Sequence, residues 1–316
     1  MGTRCVPPSS APPEIIPAGA LLFFCMWVPE RLESSRKALD MSTVTVSSSA
    51  RELRITVRSI ARAKREGKKL TMLTAYDFTF ARIFDSAGIE MVLVGDSLGN
   101  VMQGCDTTLP VTLDDVVYHT RMVVRGCERA LVIADMPFGS YQVGPEDAVR
   151  SAIRLVKEGG AQAVKLEGSA HVAEAIERIV AAQIPVMGHV GLTPQSVNQM
   201  GGFRVQGRGP KGRDRIISDA LRVEQAGAFA VVLEGLPEDL AGEITGALRI
   251  PTIGIGAGVH CDGQVLVMHD LLGLNDWTPS FVKQYANLGA LTSQAARAFA
   301  EEVRNGKFPD DDHSYS

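Results

Sequence analysis

From residue 70 onward the chain repeats one unit: a short apolar run, a polar break, then apolar residues at helical spacing. The apolar runs fall at 70–75, 91–96, 130–135, 163–167, 185–190, 230–234, 252–255 and 264–269. They are apolar on successive residues, the pattern of strands covered on both faces of a parallel sheet. Between them, Pro145-Glu146-Asp147 opens a helix over 148–158 that stops at Gly159-Gly160. Residues 171–183 set Val172, Ile176, Ile179 and Val180 on one helix face, and a helix over 215–225 stops at Gly227. Pro237-Glu238-Asp239 opens another helix that ends near Arg249. Strands alternating with helices predict an α/β protein, and eight such strands predict a closed (β/α)8 TIM barrel. A doubly wound open sheet is the alternative, but no phosphate fingerprint follows the first strand at Thr74-Ala75-Tyr76-Asp77. Leu53, Val57 and Ile60 give residues 51–66 helical spacing, so an N-terminal helix is expected ahead of the first strand, covering the barrel floor.

This divides the chain into residues 51–316, a single barrel domain, and residues 1–50, an extension of different character. Residues 1–17 are rich in proline and serine, which disfavours packing. The apolar run at 18–28 lacks the charged lead of a secretion signal, and Glu14, Glu30, Glu33 and Asp40 oppose a transit peptide. The extension is therefore read as disordered, with Met41 as an alternative start and mitochondrial targeting as the competing reading. For the rest, 45% hydrophobic and 22% charged residues describe a soluble protein, expected in the cytoplasm. A net charge of −4 with no basic stripe speaks against nucleic acid, and the apolar runs are too short to span a membrane. The five cysteines form no CxxC pair and are read as free thiols.

The informative chemistry lies where the strands end. Asp96 closes the second apolar run, Asp135 the third, Glu167 the fourth and Glu234 the sixth. A lone acid after a strand ordinarily caps a helix or makes an Asx-turn. In a barrel, however, the carboxyl ends of all strands meet at one face, so four acids would converge on one cavity. Two carboxylates about 4 Å apart repel by roughly 4 kcal/mol at an effective dielectric near 20. Such a cluster must take up a proton, pair with Lys165, or recruit a hard divalent cation such as Mg²⁺. Lys165 lies two residues from Glu167 and emerges on the same side; it reads as a counter-ion for an anionic substrate, a Schiff-base nucleophile or a structural ion pair. His189 also closes a strand and reads equally as a core histidine or a substrate contact, while His119 and His171 are expected to face solvent. The glycine-rich, basic stretch 191–212 has the length of a lid.

VGDSLGNVMQG (94–104), DTTLPVT (106–112), ADMPFGSY (134–141), VKLEG (164–168), GHVGLTPQSVN (188–198), VQGRG (205–209), IPTIGIGAG (250–258) and CDGQVLVMHD (261–270) together resemble the ketopantoate hydroxymethyltransferase family. The likeness runs from about Leu53 to His313. It implies a barrel that adds a hydroxymethyl group from 5,10-methylenetetrahydrofolate to 3-methyl-2-oxobutanoate, giving 2-dehydropantoate in pantothenate biosynthesis. It further implies a large homo-oligomer, often a decamer. By this resemblance Asp96 and Asp135 hold Mg²⁺, with Glu167 completing the metal site directly or through water. Asp96, Ser97, Asp135 and Lys165 contact the keto acid, and Glu234 accepts the proton. His189 and Arg208 are further substrate or lid candidates. Cys105 and Gly235 depart from the family's usual residues without replacing a functional position. A Schiff-base aldolase, another Mg²⁺-dependent keto-acid barrel and a catalytically silent keto-acid sensor are the competing readings.

Overall fold

Eight parallel strands close on themselves in sequence order, each hydrogen-bonded to the next and the last to the first, in a computed structural model that describes residues 54–315. The extension expected over residues 1–50 lies outside the described residues. The strands are β1 (Leu70–Thr74), β2 (Met91–Val94), β3 (Leu131–Asp135), β4 (Ala163–Glu167), β5 (Val186–Gly191), β6 (Ala230–Glu234), β7 (Thr252–Ile255) and β8 (Gly263–Leu266). The expected TIM barrel is the observed fold.

Side chains alternate across each strand, so two apolar clusters form. Leu70, Met72, Met91, Leu93, Leu131, Ile133, Met187, Val232, Ile253 and Val265 fill the barrel interior. Their neighbours Val92, Val132, Val164, Leu166, Val231 and Leu233 face outward to Phe84, Val116, Leu155, Ile176, Ile216 and Leu240 of the surrounding helices. This double coverage explains why the strands read as unbroken apolar runs. The helix Val57–Arg65 begins at Thr56, which forms a reciprocal capping box with Ser59. It buries Ile60 completely in the interior cluster, as the floor-covering expectation required. Burial of one such side chain stabilises by ~1.5–3 kcal/mol.

Several boundaries differ from the sequence reading, and those nearest the strand ends matter most. β2 ends at Val94, so Asp96 sits in a turn where Leu98 N–H bonds Gly95 O and Gly99 N–H bonds Asp96 O. β8 ends at Leu266, and His269 belongs to the helix Met268–Leu272, whose first N–H bonds Thr74 Oγ1 at 3.0 Å. The helix expected over 215–225 starts six residues earlier, at Gly209, because Pro210 in its first turn needs no intrahelical donor bond. The presumed lid is correspondingly shorter, interrupted by the turns Pro194–Ser196 and Val197–Met200. His119 is half-buried rather than solvent-facing, its Nδ1 lying 2.6 Å from Tyr76 O. A final helix, Leu288–Arg304, carries no buried residue. Among the described residues no helix is long and apolar enough to cross a membrane.

Candidate active site

The inward-facing positions change character along the barrel. On β3 they run Leu131, Ile133, Asp135; on β4 Ala163, Lys165, Glu167; on β5 Met187, His189; on β6 Ala230, Val232, Glu234. Apolar residues fill the amino half and ionisable ones stand at the carboxyl end. Strand register then brings the charges side by side: Asp135 pairs with Lys165, Glu167 with His189, and Gly191 with Glu234. Lys165 Nζ lies 2.9 Å from Asp135 Oδ1, 3.8 Å from Glu167 Oε1 and 3.3 Å from His189 Nδ1. His189 bridges two acids, with Nδ1 3.4 Å from Glu167 Oε1 and Nε2 3.2 Å from Glu234 Oε2. Asp96 reaches the cluster from its turn, its backbone N–H donating to Asp135 Oδ2 at 3.2 Å. Next to it, Ser97 Oγ shares a 2.8 Å hydrogen bond with the hydroxyl of fully buried Tyr76.

These groups surround one cavity of about 150 Å³, whose walls also include Leu93, Val232, Ile255 and Val265 and whose lining includes Phe203. Asp96, Asp135, Lys165, Glu167 and His189 are buried, whereas the Glu234 side chain keeps 17% of its surface exposed. Burial, then the charges of Asp135 and Glu167, push the Asp96 carboxyl well above the ordinary carboxylate range. Burial likewise raises Asp135, although the Lys165 ammonium opposes it. Burial also works against a charged Lys165, but Asp135, Glu167 and Asp96 outweigh it and hold the ammonium more firmly protonated than usual. Glu167 is desolvated too, yet His189 and Lys165 keep its carboxyl below the usual range. His189 is pushed up to about 9 against the cost of burial and of Lys165, by Glu167 and Glu234. Four acidic side chains thus share the cavity with Lys165 and His189.

A cluster of buried carboxyl groups offering hard oxygen donors is chemically suited to Mg²⁺. Asp135 Oδ1 is a buried oxygen without a hydrogen-bond partner, its 2.9 Å contact with the Lys165 ammonium lying outside hydrogen-bond geometry. Among the described residues no group of three or more His, Cys, Asp or Glu side chains forms a ready-made metal site. A Mg²⁺ ion held by one or two carboxylates, with substrate or water oxygens in the other positions, does not require such a group. Asp96 and Asp135 fit this role. Glu167 is more heavily committed, with Oε2 accepting from Gln195 N–H at 3.1 Å and Oε1 between Lys165 and His189.

The structure therefore gathers Asp96, Ser97, Asp135, Lys165, Glu167, His189 and Glu234 around one cavity. Arg208 lies elsewhere: it precedes the helix Gly209–Gln225 and borders a separate surface depression with Lys211 and Arg215. Sequence reasoning passed over Gln195 and Tyr141. Gln195 is 5% exposed, and its Nε2 donates to Asp96 Oδ2 at 2.8 Å and Met136 O at 3.0 Å. The Tyr141 hydroxyl donates to Gln195 Oε1 at 2.6 Å and accepts from Glu167 N–H at 3.3 Å. Both residues stand inside motifs already singled out, ADMPFGSY and GHVGLTPQSVN, but on loops, where no periodicity reveals which way a side chain turns.

Comparison with known proteins bears on the same region. The family described as ketopantoate hydroxymethyltransferase matches residues 54–311. The 3-methyl-2-oxobutanoate hydroxymethyltransferase of Geobacter metallireducens is 56% identical over 262 residues, covering 83% of this chain and 98% of that one. The enzyme of the same name from Clostridium beijerinckii is 55% identical over 261 residues, covering 82% and 95%. Among solved structures, a phosphonopyruvate hydrolase in complex with oxalate and Mg²⁺ superposes with a TM-score of 0.55 at 13% identity, covering 83% of this chain and 92% of that one. A 2,3-dimethylmalate lyase superposes with a TM-score of 0.54 at 16% identity, covering 83% and 89%. At such identities the structural likeness speaks for the barrel fold alone.

Proposed function

The chain belongs to the ketopantoate hydroxymethyltransferase family, and on that premise we propose that it transfers a hydroxymethyl group from 5,10-methylenetetrahydrofolate to 3-methyl-2-oxobutanoate. The observation that carries this reading is that Glu234, a partly exposed acid, lines the same small cavity as the buried set Asp96, Asp135, Lys165 and Glu167.

In this reading Lys165 binds the substrate carboxylate as a fixed cation, and Ser97, held by Tyr76, donates a further hydrogen bond. Leu93, Val232, Ile255 and Val265 receive the branched alkyl end. Asp96 and Asp135 would hold Mg²⁺, with Glu167 completing the set. When bound, the ion supplies Lewis-acid stabilisation for charge developing on the keto oxygen. Glu234 takes the proton from C3, which is acidic because the neighbouring ketone spreads the charge left behind. His189, whose Nε2 lies 3.2 Å from Glu234 Oε2 outside hydrogen-bond geometry, sets a cationic ring beside that carboxyl group. C3 then bonds to the donor's methylene carbon as one of its two C–N bonds breaks, water replaces the second folate nitrogen and supplies the hydroxyl, the two nitrogens take up the proton removed from C3 and one from water, and 2-dehydropantoate and tetrahydrofolate leave. Cytoplasmic residence, a homo-oligomeric and decameric assembly, and a place in pantothenate biosynthesis belong to the same proposal.

The Schiff-base alternative needs a neutral Lys165 amine, and the three surrounding carboxylates hold it charged. NMR of 3-methyl-2-oxobutanoate in D₂O tests the main reading. Loss of the C3 proton signal is expected with enzyme and Mg²⁺, and retention after chelation. Glu234→Gln should abolish exchange while keto-acid binding stays measurable; full exchange in that variant removes Glu234 from the base role. Borohydride trapping of substrate on Lys165 would reinstate the aldolase.

A further inference from the structure

The transfer reading needs a second substrate far larger than the first, and the cavity has no room for it. Its volume of about 150 Å³ suits a five-carbon keto acid. Pockets for drug-sized ligands hold ~300–1,000 Å³. The fused ring system of a reduced folate must therefore lie at the mouth, with only the methylene carbon reaching inward. The direction of entry follows from accessibility: the acids proposed for the metal are buried, while Glu234 keeps 17% of its side-chain surface open.

Among the residues lining the cavity, Phe203 is a large apolar side chain left mostly in solvent, 61% exposed. An exposed aromatic ring at the edge of a polar pocket has no packing reason to be there, since burial would stabilise it. It follows Gly201 and Gly202, whose φ angles of +68° and +111° belong to glycine, and a Cβ on either would meet nothing within 4 Å. The ring thus hangs on a segment with free space around its hinge. Asn100, also lining the cavity and exposed, donates from Nδ2 to Cys105 O at 2.8 Å, which fixes its amide beside the mouth.

We propose that Phe203 is the stacking platform for the pteridine ring of the one-carbon donor, holding it over the cavity mouth above Glu234. The assignment rests on the transfer reading. Flat heteroaromatic rings gain substantially from a face-on aromatic partner, so removing the platform should weaken donor affinity by roughly tenfold.

The test uses the full chain with Mg²⁺ and three readouts: C3 exchange of 3-methyl-2-oxobutanoate in D₂O without folate, the KM for 5,10-methylenetetrahydrofolate, and calorimetric binding of tetrahydrofolate. Phe203→Ala should leave exchange at the wild-type rate, raise the folate KM about tenfold and weaken tetrahydrofolate by a similar factor. Phe203→Trp or Phe203→Tyr should restore both. An unchanged folate KM in the alanine variant overturns the platform, as does a parallel loss of exchange, which would make Phe203 a wall of the keto-acid cavity. Failure of the wild-type protein to exchange C3 would instead sink the transfer reading.

Discussion

Gln195 is the side chain whose removal tests most directly how the acid cluster is held. It makes three kinds of contact from one buried position: Nε2 to Asp96 Oδ2, backbone N–H to Glu167 Oε2, and Oε1 to the Tyr141 hydroxyl. Substitution by leucine keeps the volume and the backbone bond but deletes the amide. The lost bonds to Asp96, Met136 O and the Tyr141 hydroxyl are worth about 1 kcal/mol each. Unfolding free energy should therefore fall by about 3 kcal/mol, read from urea denaturation. The functional consequence is separate. Gln195 lowers the proton affinity of Asp96, which burial and neighbouring acids raise. Without it the carboxylate is both less firmly aimed and more readily protonated. Loss of a hydrogen-bond partner behind a metal ligand typically costs 10–100-fold in affinity. Mn²⁺ binding followed by electron paramagnetic resonance, at matched folded fraction, should show at least a tenfold weaker dissociation constant. A variant that binds the ion within twofold of wild type while losing the expected stability would refute the orienting role and leave Gln195 purely structural.

Three further outcomes check the scaffold. Asp85 accepts from the backbone N–H groups of Glu128, Arg129 and Ala130 ahead of β3, so Asp85→Ala should cost about 2 kcal/mol in denaturant unfolding; wild-type stability would show that solvent replaces those bonds. A Cβ at Gly188 would fall 2.2 Å from Val223 Cγ1, so Gly188→Ala should force the helix Gly209–Gln225 away from β5 at a cost of ~1–3 kcal/mol, seen as a lower Tm. Burial, then the charge of Asp85, pushes the Cys127 thiol up to about 12, so mass-mapped alkylation of native protein at pH 8 should mark half-exposed Cys105 and spare Cys127. Labelling of Cys127 at the rate of Cys105 would contradict its burial.

Much of the architecture is written locally. An unbroken apolar run such as 130–134 reads as a strand buried on both sides, and eight such strands interleaved with helices point to a barrel. The same alternation that makes Ala163 part of the interior makes Lys165 and Glu167 point the same way, so their shared cavity was legible two residues at a time. Asp96 was legible as a site residue but not as a turn residue, because the sequence reading carried the second strand two residues past Val94, where the ladder ends.

Tertiary structure decided what no spacing encodes. His189 finds Glu234 through the register of β5 against β6, and that contact turned an ambiguous core histidine into the partner of the proposed base. Gln195 and Tyr141 converge on Asp96 and Glu167 from loops that are distant in sequence, and Arg208, basic and well placed in the motif, falls outside the cavity. The division has one physical cause. Periodicity reports which face of its own element a residue occupies, whereas partners across strands and loops depend on register and chain path, which are settled only when the whole barrel closes.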